Sequence, residues 1–310
     1  MTPYKLLTFR GIEGVRPGIA VGETIWPLRA LPSLADYASL LDVLEDWATA
    51  EPLLQLTADR LPKDAMQDAA LPLVGTELLP PVPRPSAIYC AGANYMDHVK
   101  EMAAAKGLNS TPDPRAGGQL PWHFIKATGT LAAPGAAIAV PKHTKKLDWE
   151  IELTAVIGRP AKDVSVADAL HHVAGYTIAN DLSARDHSVR ESVPIGSGFR
   201  NDWLSQKSFD GSCPIGPWIV PARFIADPQN LAMKLWVNGV IKQDSSSNAM
   251  IFTLAEQIAY LSSRMTLHPG DLILTGTPAG VGNARREFLQ PGDVVKVWID
   301  GIGSFENQMV

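Results

Sequence analysis

The run Leu147-Asp148-Trp149-Glu150-Ile151-Glu152-Leu153 alternates acidic with apolar residues. Successive side chains of a β-strand point to opposite faces, so this spacing predicts a strand with all three acids on one face. Two of these acids would be placed to bind one cation. The pattern is also typical of a half-exposed strand whose solvent face is acidic, and the run alone leaves both interpretations open.

A second strand-like run also ends in an acid. Residues 174–180 are uncharged and precede Asp181, so we expect this carboxylate in a buried setting, where it needs a partner. A metal ion would supply that partner. A site built from carboxylates selects a hard cation, Mg²⁺, Mn²⁺ or Ca²⁺, because Zn²⁺ sites usually include His or Cys. Availability puts Mg²⁺ first among these ions.

A histidine and a glutamate share one predicted helix. Residues 94–101, Asn-Tyr-Met-Asp-His-Val-Lys-Glu, follow a strand-like run and a turn, and a helix sets His98 and Glu101 on one face. Glu101 would orient the imidazole while His98 takes a proton from water as a general base. A surface pair on a solvated helix is the alternative interpretation.

Two further features suit the binding of an anion. Lys207 lies in the largely apolar run 203–209, where a lysine can stabilise negative charge that develops on a substrate oxygen. A surface lysine with its stem on apolar neighbours is the alternative. Residues 274–282 form a Gly-rich loop after a strand, and its N–H groups could hold a carboxylate. The loop is neither a P-loop nor a dinucleotide fingerprint, since its glycine spacing differs from both.

Four prolines within residues 80–85 predict a stiff, extended connector. We therefore place a small N-terminal α/β domain in residues 1–80 and a larger domain in residues 85–310. Capping-box patterns predict helices that begin at Ser33-Leu34-Ala35-Asp36 and at Thr253-Leu254-Ala255-Glu256.

Strands dominate the rest of the chain. Runs of β-branched and apolar residues between turn signals predict strands at 87–90, 153–157, 174–178, 234–237, 272–274 and 294–299. Asp300-Gly301 predicts a terminal hairpin. Strands and helices do not alternate regularly, so the predicted class is a β-rich α+β fold rather than a doubly wound sheet.

Composition excludes several classes of function. The 310 residues carry 27 basic and 32 acidic side chains, a formal charge of −5 without a long basic run, which argues against nucleic acid or anionic lipid as a partner. Apolar stretches fall well short of the roughly 20 residues that cross a bilayer. The N-terminus does not resemble a secretory signal, so we expect a cytoplasmic location. Cys90 and Cys213 are expected to be small buried thiols.

Residues 85–308 resemble the fumarylacetoacetate hydrolase family, because five motifs occur in the family's order. The motifs are Gly92-Ala93-Asn94-Tyr95 with His98 and Glu101, then residues 148–153, 176–186, 207–217 and 274–282, with residues 247–252 in support. The resemblance implies a mixed β-roll that is usually homodimeric. It also implies that Glu150, Glu152 and Asp181 bind Mg²⁺ or Mn²⁺, and that His98 and Glu101 form a catalytic dyad carried by a lid.

The resemblance also implies roles near the substrate. Lys207 matches the charge-stabilising lysine, while Arg185 and the Gly276-Thr277 loop match contacts to the 2-oxo-carboxylate end of a substrate. The implied substrate is a 2,4-dioxo acid of the fumarylacetoacetate or fumarylpyruvate type. Hydrolysis of a carbon–carbon bond in it would give a carboxylic acid and pyruvate, with His98 activating water.

Two other functions stay open at this stage. Relatives with the same metal site decarboxylate oxaloacetate or isomerise unsaturated 2-oxo dicarboxylates of aromatic catabolism, since each reaction needs a similar enolate. A non-catalytic ligand-binding protein that retains the fold is the alternative of a different class. The chain also departs from the family in a long lid between Glu101 and Lys126, in an N-terminal extension, and at Ser188, where many relatives carry a longer amide that touches substrate.

Overall fold

The computed structural model describes residues 1–12, 14–61, 69–105, 107–108, 111 and 113–310. These residues form 19 strands and six α-helices. In chain order, β1 to β19 are Lys5–Gly11, Gly14–Val21, Thr24–Pro27, Leu71–Pro72, Leu78–Leu79, Ile88–Ala91, His123–Lys126, Leu131–Ala132, Ala137–Ile138, Leu147–Asp148, Ile151–Ile157, Val173–Asn180, Ser183–Ala184, Cys213–Pro221, Ala232–Val237, Val240–Ser246, Leu272–Leu274, Val294–Ile299 and Gly303–Met309. The helices α1 to α6 are Leu40–Glu45, Trp47–Arg60, Met96–Ala105, Trp203–Lys207, Leu254–Arg264 and Gly282–Arg285.

A large sheet of twelve strands places β11 and β12 at its centre. Its main order is β4-β3-β2-β1-β14-β12-β11-β17-β6-β7. Every residue of β11 and of β12 is buried, so the acids at 150 and 152 do not belong to a solvent-facing strand. The antiparallel register pairs Ile151 with Asn180 and Glu152 with Ala179, which brings the start of β11 beside the end of β12.

The strand predicted over 147–153 is interrupted. Leu147 and Asp148 form β10, which pairs with β13, and β11 begins only at Ile151. Asp148 turns toward the N-terminus of α6, where its carboxylate accepts hydrogen bonds from the N–H groups of Gly282 and Asn283. The prediction that three acids share one face is therefore wrong for Asp148, because these backbone donors bind it elsewhere.

The first 80 residues extend the same sheet. Strand β1 pairs with β14 through Leu6 and Ile219, and apolar residues of α2, such as Trp47, share a core with Ile88 of β6. In the proline-rich stretch, the carbonyl of Pro81 accepts a hydrogen bond from Thr8. The division into domains at residues 80–85 stays a prediction.

A second sheet of five strands, β16-β15-β18-β19-β9, shares the other core with α5. Strands β18 and β19 form the terminal hairpin that Asp300-Gly301 predicts. Helix α5 has the predicted capping box, with Thr253 and Glu256 bonded reciprocally. The β-rich α+β class is confirmed.

The first predicted helix start is wrong. Residues 32–36 form successive turns, and the capping box belongs to Ser39 and Asp42, so α1 begins at Leu40. The hydroxyl of Ser33 instead lies 3.3 Å from that of Thr57. The helix begins after Ser39 because the Asp42 carboxylate accepts a hydrogen bond from the Ser39 N–H. The N–H groups of Leu34 and Tyr37 are already bonded within the preceding turns. Among the described residues, no helix has the length and apolarity needed to span a membrane.

Candidate active site

Three carboxylates from two neighbouring strands meet in the interior. Glu150 precedes β11, Glu152 lies within it, and Asp181 follows β12. One oxygen from each residue lies within 4.8 Å of the others, and all three side chains are buried. The Asp181 N–H donates to the Glu150 carbonyl at 2.8 Å, which holds the two chain ends together. The structure therefore brings together the acids that the sequence singles out as metal ligands.

Three basic side chains enclose this carboxylate cluster, which we define as Glu150, Glu152 and Asp181. Lys207 at the end of α4 donates to Glu150 at 2.7 Å and to Asp181 at 2.5 Å. Lys126 of β7 donates to the second oxygen of Asp181 at 2.6 Å. Arg185 donates to Glu150 and, at 2.8 Å, to Asp148. The cluster is thus bound by basic side chains from three separate segments of the chain.

The pKa values of the two glutamates of the cluster are shifted in opposite directions. Burial opposes ionisation of both, but the charges of Arg185 and Lys207 outweigh it at Glu150 and hold its pKa well below the usual range. Burial and the charges of Asp181 and Glu150 raise the pKa of Glu152 well above its ordinary value. Burial opposes the charge of Lys207 too, but its carboxylate partners raise its pKa. A divalent cation bound beside Glu152 would favour its ionised form and so oppose this upward shift of its pKa.

The donor set fits a hard divalent cation. All three ligands of the cluster are carboxylates, and oxygen donors of this kind suit Mg²⁺, Mn²⁺ or Ca²⁺. Three protein ligands leave coordination positions for a substrate or water. The residues present therefore match the cation class expected from the sequence.

His98 and Glu101 lie together on α3, as predicted. His98 Nδ1 is 3.8 Å from Glu101 Oε2, and the same oxygen accepts a hydrogen bond from the Gly280 N–H at 2.9 Å. Burial raises the pKa of Glu101, but the nearby His98 ring and the hydrogen bond from the Gly280 N–H outweigh burial and lower it overall. Glu101 is therefore held as a carboxylate that can orient the imidazole.

A cavity of about 320 Å³ joins the histidine to the carboxylate cluster. Its wall includes His98, Glu150, Glu152, Lys207 and Arg185. A larger cavity of about 700 Å³ elsewhere in the molecule is lined by none of these residues. The smaller cavity holds a base, acids and cations together, so it is the candidate active site.

The predicted substrate contacts differ in their placement. Arg185 and Thr277 line the cavity. The guanidinium of Arg185 already pairs with carboxylates, and the Thr277 hydroxyl donates to the Ile151 carbonyl. Gly276 does not line it; its N–H donates to Glu152 at 2.7 Å and so positions that ligand. Substrate contact by these three residues stays a prediction.

Sequence reasoning misses three supporting residues. Lys126 is completely buried, yet its sequence context, Phe124-Ile125-Lys126, does not distinguish it from a surface lysine at a strand end. Asn180 accepts from the Glu150 N–H, and Gln243 accepts from the Ile151 N–H, so both fix the interruption between β10 and β11. Only Asn180 carries a signal, since it directly precedes Asp181.

Comparison with known proteins gives consistent matches. Residues 87–310 match the family model described as fumarylacetoacetate (FAA) hydrolase C-terminal. The mitochondrial oxaloacetate tautomerase FAHD2A of Homo sapiens is 38% identical over 248 residues, 79% of this chain and 73% of that protein. The mitochondrial oxaloacetate tautomerase fahd2 of Xenopus laevis is 40% identical over 235 residues, 75% and 68% of the two chains.

Two solved structures resemble this chain over nearly its full length. Fumarylacetoacetate hydrolase from Exiguobacterium antarcticum is 32% identical with a TM-score of 0.76, covering 99% of both chains. Maleylpyruvate hydrolase from Sphingobium sp. SYK-6, solved with manganese(II) and pyruvate, is 29% identical with a TM-score of 0.74, covering 99% of this chain and 98% of that one. These matches confirm the fold expected from the motifs.

Proposed function

Since this chain belongs to the fumarylacetoacetate hydrolase family, we propose that it is a metal-dependent enzyme that hydrolyses a carbon–carbon bond in 2,4-dioxo acids of the acylpyruvate type. The observation that carries the proposal is the shared cavity, in which His98, backed by Glu101, faces the carboxylate cluster and Lys207. A general base next to a cation site is what activation of water and stabilisation of an enolate both require.

The carboxylate cluster would hold the cation. Bound there, Mg²⁺ or Mn²⁺, or else Ca²⁺, supplies positive charge that stabilises the enolate of a 2-oxo acid. The neighbour solved with manganese(II) and pyruvate supports a divalent ion and a 2-oxo acid in this fold. The Lys126 and Arg185 contacts keep Asp181 and Glu150 in place.

The residues of the chain supply the proton transfers. His98 takes a proton from water while Glu101 holds the imidazole, and the resulting hydroxide attacks the 4-carbonyl carbon. The bond between C3 and C4 breaks, and its electron pair passes to the pyruvate enolate beside the Lys207 ammonium. Return of the proton from His98 to C3 yields pyruvate, and the acyl fragment leaves as a carboxylic acid that carries the second proton of the water and releases it to solvent.

Tautomerisation of oxaloacetate is the second candidate, favoured by the names of the curated relatives. Here His98 would move a proton between C3 and the enol oxygen, and no water would be consumed. Decarboxylation or isomerisation of a 2-oxo dicarboxylate and ligand binding without turnover are the remaining alternatives.

One set of reactions separates these functions. The purified protein is incubated with Mg²⁺ and acetylpyruvate, with and without EDTA, and the products are followed by proton NMR. Acetate plus pyruvate, lost with EDTA, is the expected result. In a parallel reaction the substrate is oxaloacetate. An unchanged acetylpyruvate spectrum, together with a loss of the oxaloacetate enol absorbance that is faster with the protein than without it, would overturn hydrolysis in favour of tautomerisation.

Assembly and location complete the proposal. We expect a homodimer, which size-exclusion chromatography with light scattering would test, and a cytoplasmic enzyme of aromatic compound catabolism. The names of the human and Xenopus relatives assign those proteins to mitochondria, so cell fractionation is the matching test.

A further inference from the structure

Three aromatic rings form one continuous wall of the active-site cavity. The Lys207 ammonium lies 5.0 Å from the ring centre of Phe124. Phe124 stacks on Trp203 at 5.4 Å, and Trp203 lies 4.8 Å from Trp122, centre to centre. The aromatic wall, which we define as Phe124, Trp203 and Trp122, therefore begins beside Lys207 and continues from ring to ring.

Exposure rises along this wall. Phe124 is 9% exposed, Trp203 38% and Trp122 45%, and all three rings line the cavity. The wall thus leads from the buried carboxylates to solvent. A substrate whose 2-oxo acid end occupies the cluster must lay its other end along these rings.

The charged lining residues lie at the inner end or on α3. Arg185 and Lys207 are already paired with carboxylates, and among the lining residues that the structure describes they are the only Lys or Arg side chains. A second carboxylate on the substrate would find aromatic faces rather than a free cation. Such a group would lose its hydration without compensation.

One polar side chain interrupts the apolar surface. Gln206 is 4% exposed and lines the cavity, and its Oε1 has no hydrogen-bond partner within the described protein. A buried acceptor of this kind favours a ligand that brings a donor. Ser188 does not fill this role, because its hydroxyl donates to the Arg185 carbonyl and it does not line the cavity.

We infer that the aromatic wall forms a specificity site for an uncharged, flat acyl group, where Gln206 Oε1 accepts a hydrogen bond from a donor substituent on that group, so that the substrate is an aryl-type 2,4-dioxo acid rather than a dicarboxylate. The inference rests on the proposed function for the reaction, but the binding preference is a property of the wall. Flat rings match it because stacked or edge-on aromatic pairs gain energy beyond simple burial.

Gly92 fixes the outer ring of the wall. A Cβ at this position would lie 1.9 Å from the Trp122 ring, and the Gly92 N–H donates to the Trp122 carbonyl at 3.0 Å. The indole therefore packs directly on this backbone. Gly92→Ala must displace the ring without removing it, which gives a second route to the same test.

The kinetic test compares acetylpyruvate, benzoylpyruvate and a 2,4-dioxo acid with a terminal carboxylate. Trp203→Ala should lower the ratio of kcat/KM for benzoylpyruvate over acetylpyruvate by about tenfold or more, and Gly92→Ala should lower it in the same direction. Comparison of this ratio between each variant and the unchanged protein cancels the intrinsic reactivity of each compound. Leu204→Ala, at the exposed neighbour of Trp203, is the matched control and should leave the ratio unchanged.

A binding measurement keeps this inference separate from the reaction. Calorimetry in the presence of Mg²⁺ should show tighter binding of phenylpyruvate than of pyruvate, with the difference lost in Trp203→Ala. If phenylpyruvate binds more tightly than pyruvate but no dioxo acid is cleaved, the proposed hydrolysis would be refuted and the specificity site would be retained. Equal affinities, an unchanged ratio in both wall variants, or fastest turnover of the terminal carboxylate would overturn the specificity site.

Discussion

The two halves of the active-site cavity are built in opposite ways. In the carboxylate cluster, Glu150 and Asp181 each bind two basic side chains, and the surrounding strands are buried throughout. On the opposite half, α3 buries only Ala103 among its described residues. His98 Nδ1 is buried there without a hydrogen-bond partner among the residues that the structure describes.

The two halves differ because one binds a cation and the other transfers protons. A cation site needs fixed ligands, so its polar atoms are satisfied by the protein itself. A base must exchange protons with a substrate, so its ring cannot be committed fully to protein partners. Substitutions of the ion-paired acids Glu150 and Asp181 should therefore damage stability and metal binding together, whereas those on the α3 half should affect the reaction with the metal site intact.

The largest effect is expected for Glu150→Gln. It leaves Arg185 and Lys207 short of a buried counter-charge, which costs about 3 to 5 kcal/mol of unfolding free energy, and it removes metal-dependent turnover. Urea unfolding and calorimetric Mg²⁺ titration measure the two effects. Asp244→Asn, at an exposed acid, is the control and should change neither.

Glu152→Gln sharpens this prediction. Within the described residues Glu152 forms no ion pair with Lys or Arg, and its contact is the Gly276 N–H, so its loss should abolish Mg²⁺ binding at little cost in stability. If both glutamine variants bound Mg²⁺ like the unchanged protein, the carboxylate cluster would not be the cation site.

His98→Ala should reduce hydrolysis by about 10² to 10⁴-fold without weakening Mg²⁺ binding. Its ring contacts the cavity rather than the cluster's ion pairs, which explains the split. Glu101→Gln should give a smaller loss, because Gly280 can still hold the amide oxygen. Equal loss of metal affinity and of activity in His98→Ala would contradict the division between the two halves.

The stability of the protein should depend on pH through His123 of β7, whose two ring nitrogens are buried without a hydrogen-bond partner among the described residues. Burial lowers the pKa of His123 from 6.5 to about 4, so between these values the unfolded chain binds more protons than the folded one. Stability should therefore fall as the pH drops through this window, by on the order of 3 kcal/mol. His123→Phe, which retains a flat ring beside Tyr260, should flatten the profile measured by urea unfolding at pH 4 to 7; an unchanged slope would exclude His123.

The smallest effect is expected at Arg115, which joins the segment before β7 to α5. Its guanidinium contacts both oxygens of Glu256, at 2.9 and 2.5 Å, but both side chains are partly exposed. A double-mutant cycle with Arg115→Met and Glu256→Gln should give a coupling of about 1 kcal/mol or less. A coupling of several kcal/mol would mean that this partly exposed ion pair is as strong as the buried ion pairs of the carboxylate cluster.

The sequence predicts the components of the site better than their arrangement. Glu152 and Asp181 could be identified because alternation and the end of an apolar run place acids in buried strands. Asp148 follows the same alternation but binds the start of α6, and such a contact between distant segments has no local pattern. Lys126 is hidden for the same reason, since only the folded chain brings it to Asp181.

The fold shows a similar limit. The strands at 272–274 and 294–299 have the predicted bounds because turn residues delimit them. Strand β14 was missed, because Pro214, Pro217 and Pro221 are strand breakers by composition. Its neighbours β1 and β12 nevertheless pair with it, so tertiary contacts override the local preference.

The pairing of β1 with β14 also dictates an order of events on the ribosome. Leu6 leaves the exit tunnel before its partner Ile219, which follows roughly 10 to 40 seconds later at ordinary rates of synthesis. The edge of β1 that faces β14 must stay open during that interval, when unpaired strand edges are prone to aggregate. Lys207 emerges just before β14, so closure of the sheet and completion of the cation site belong to the same late stage of folding.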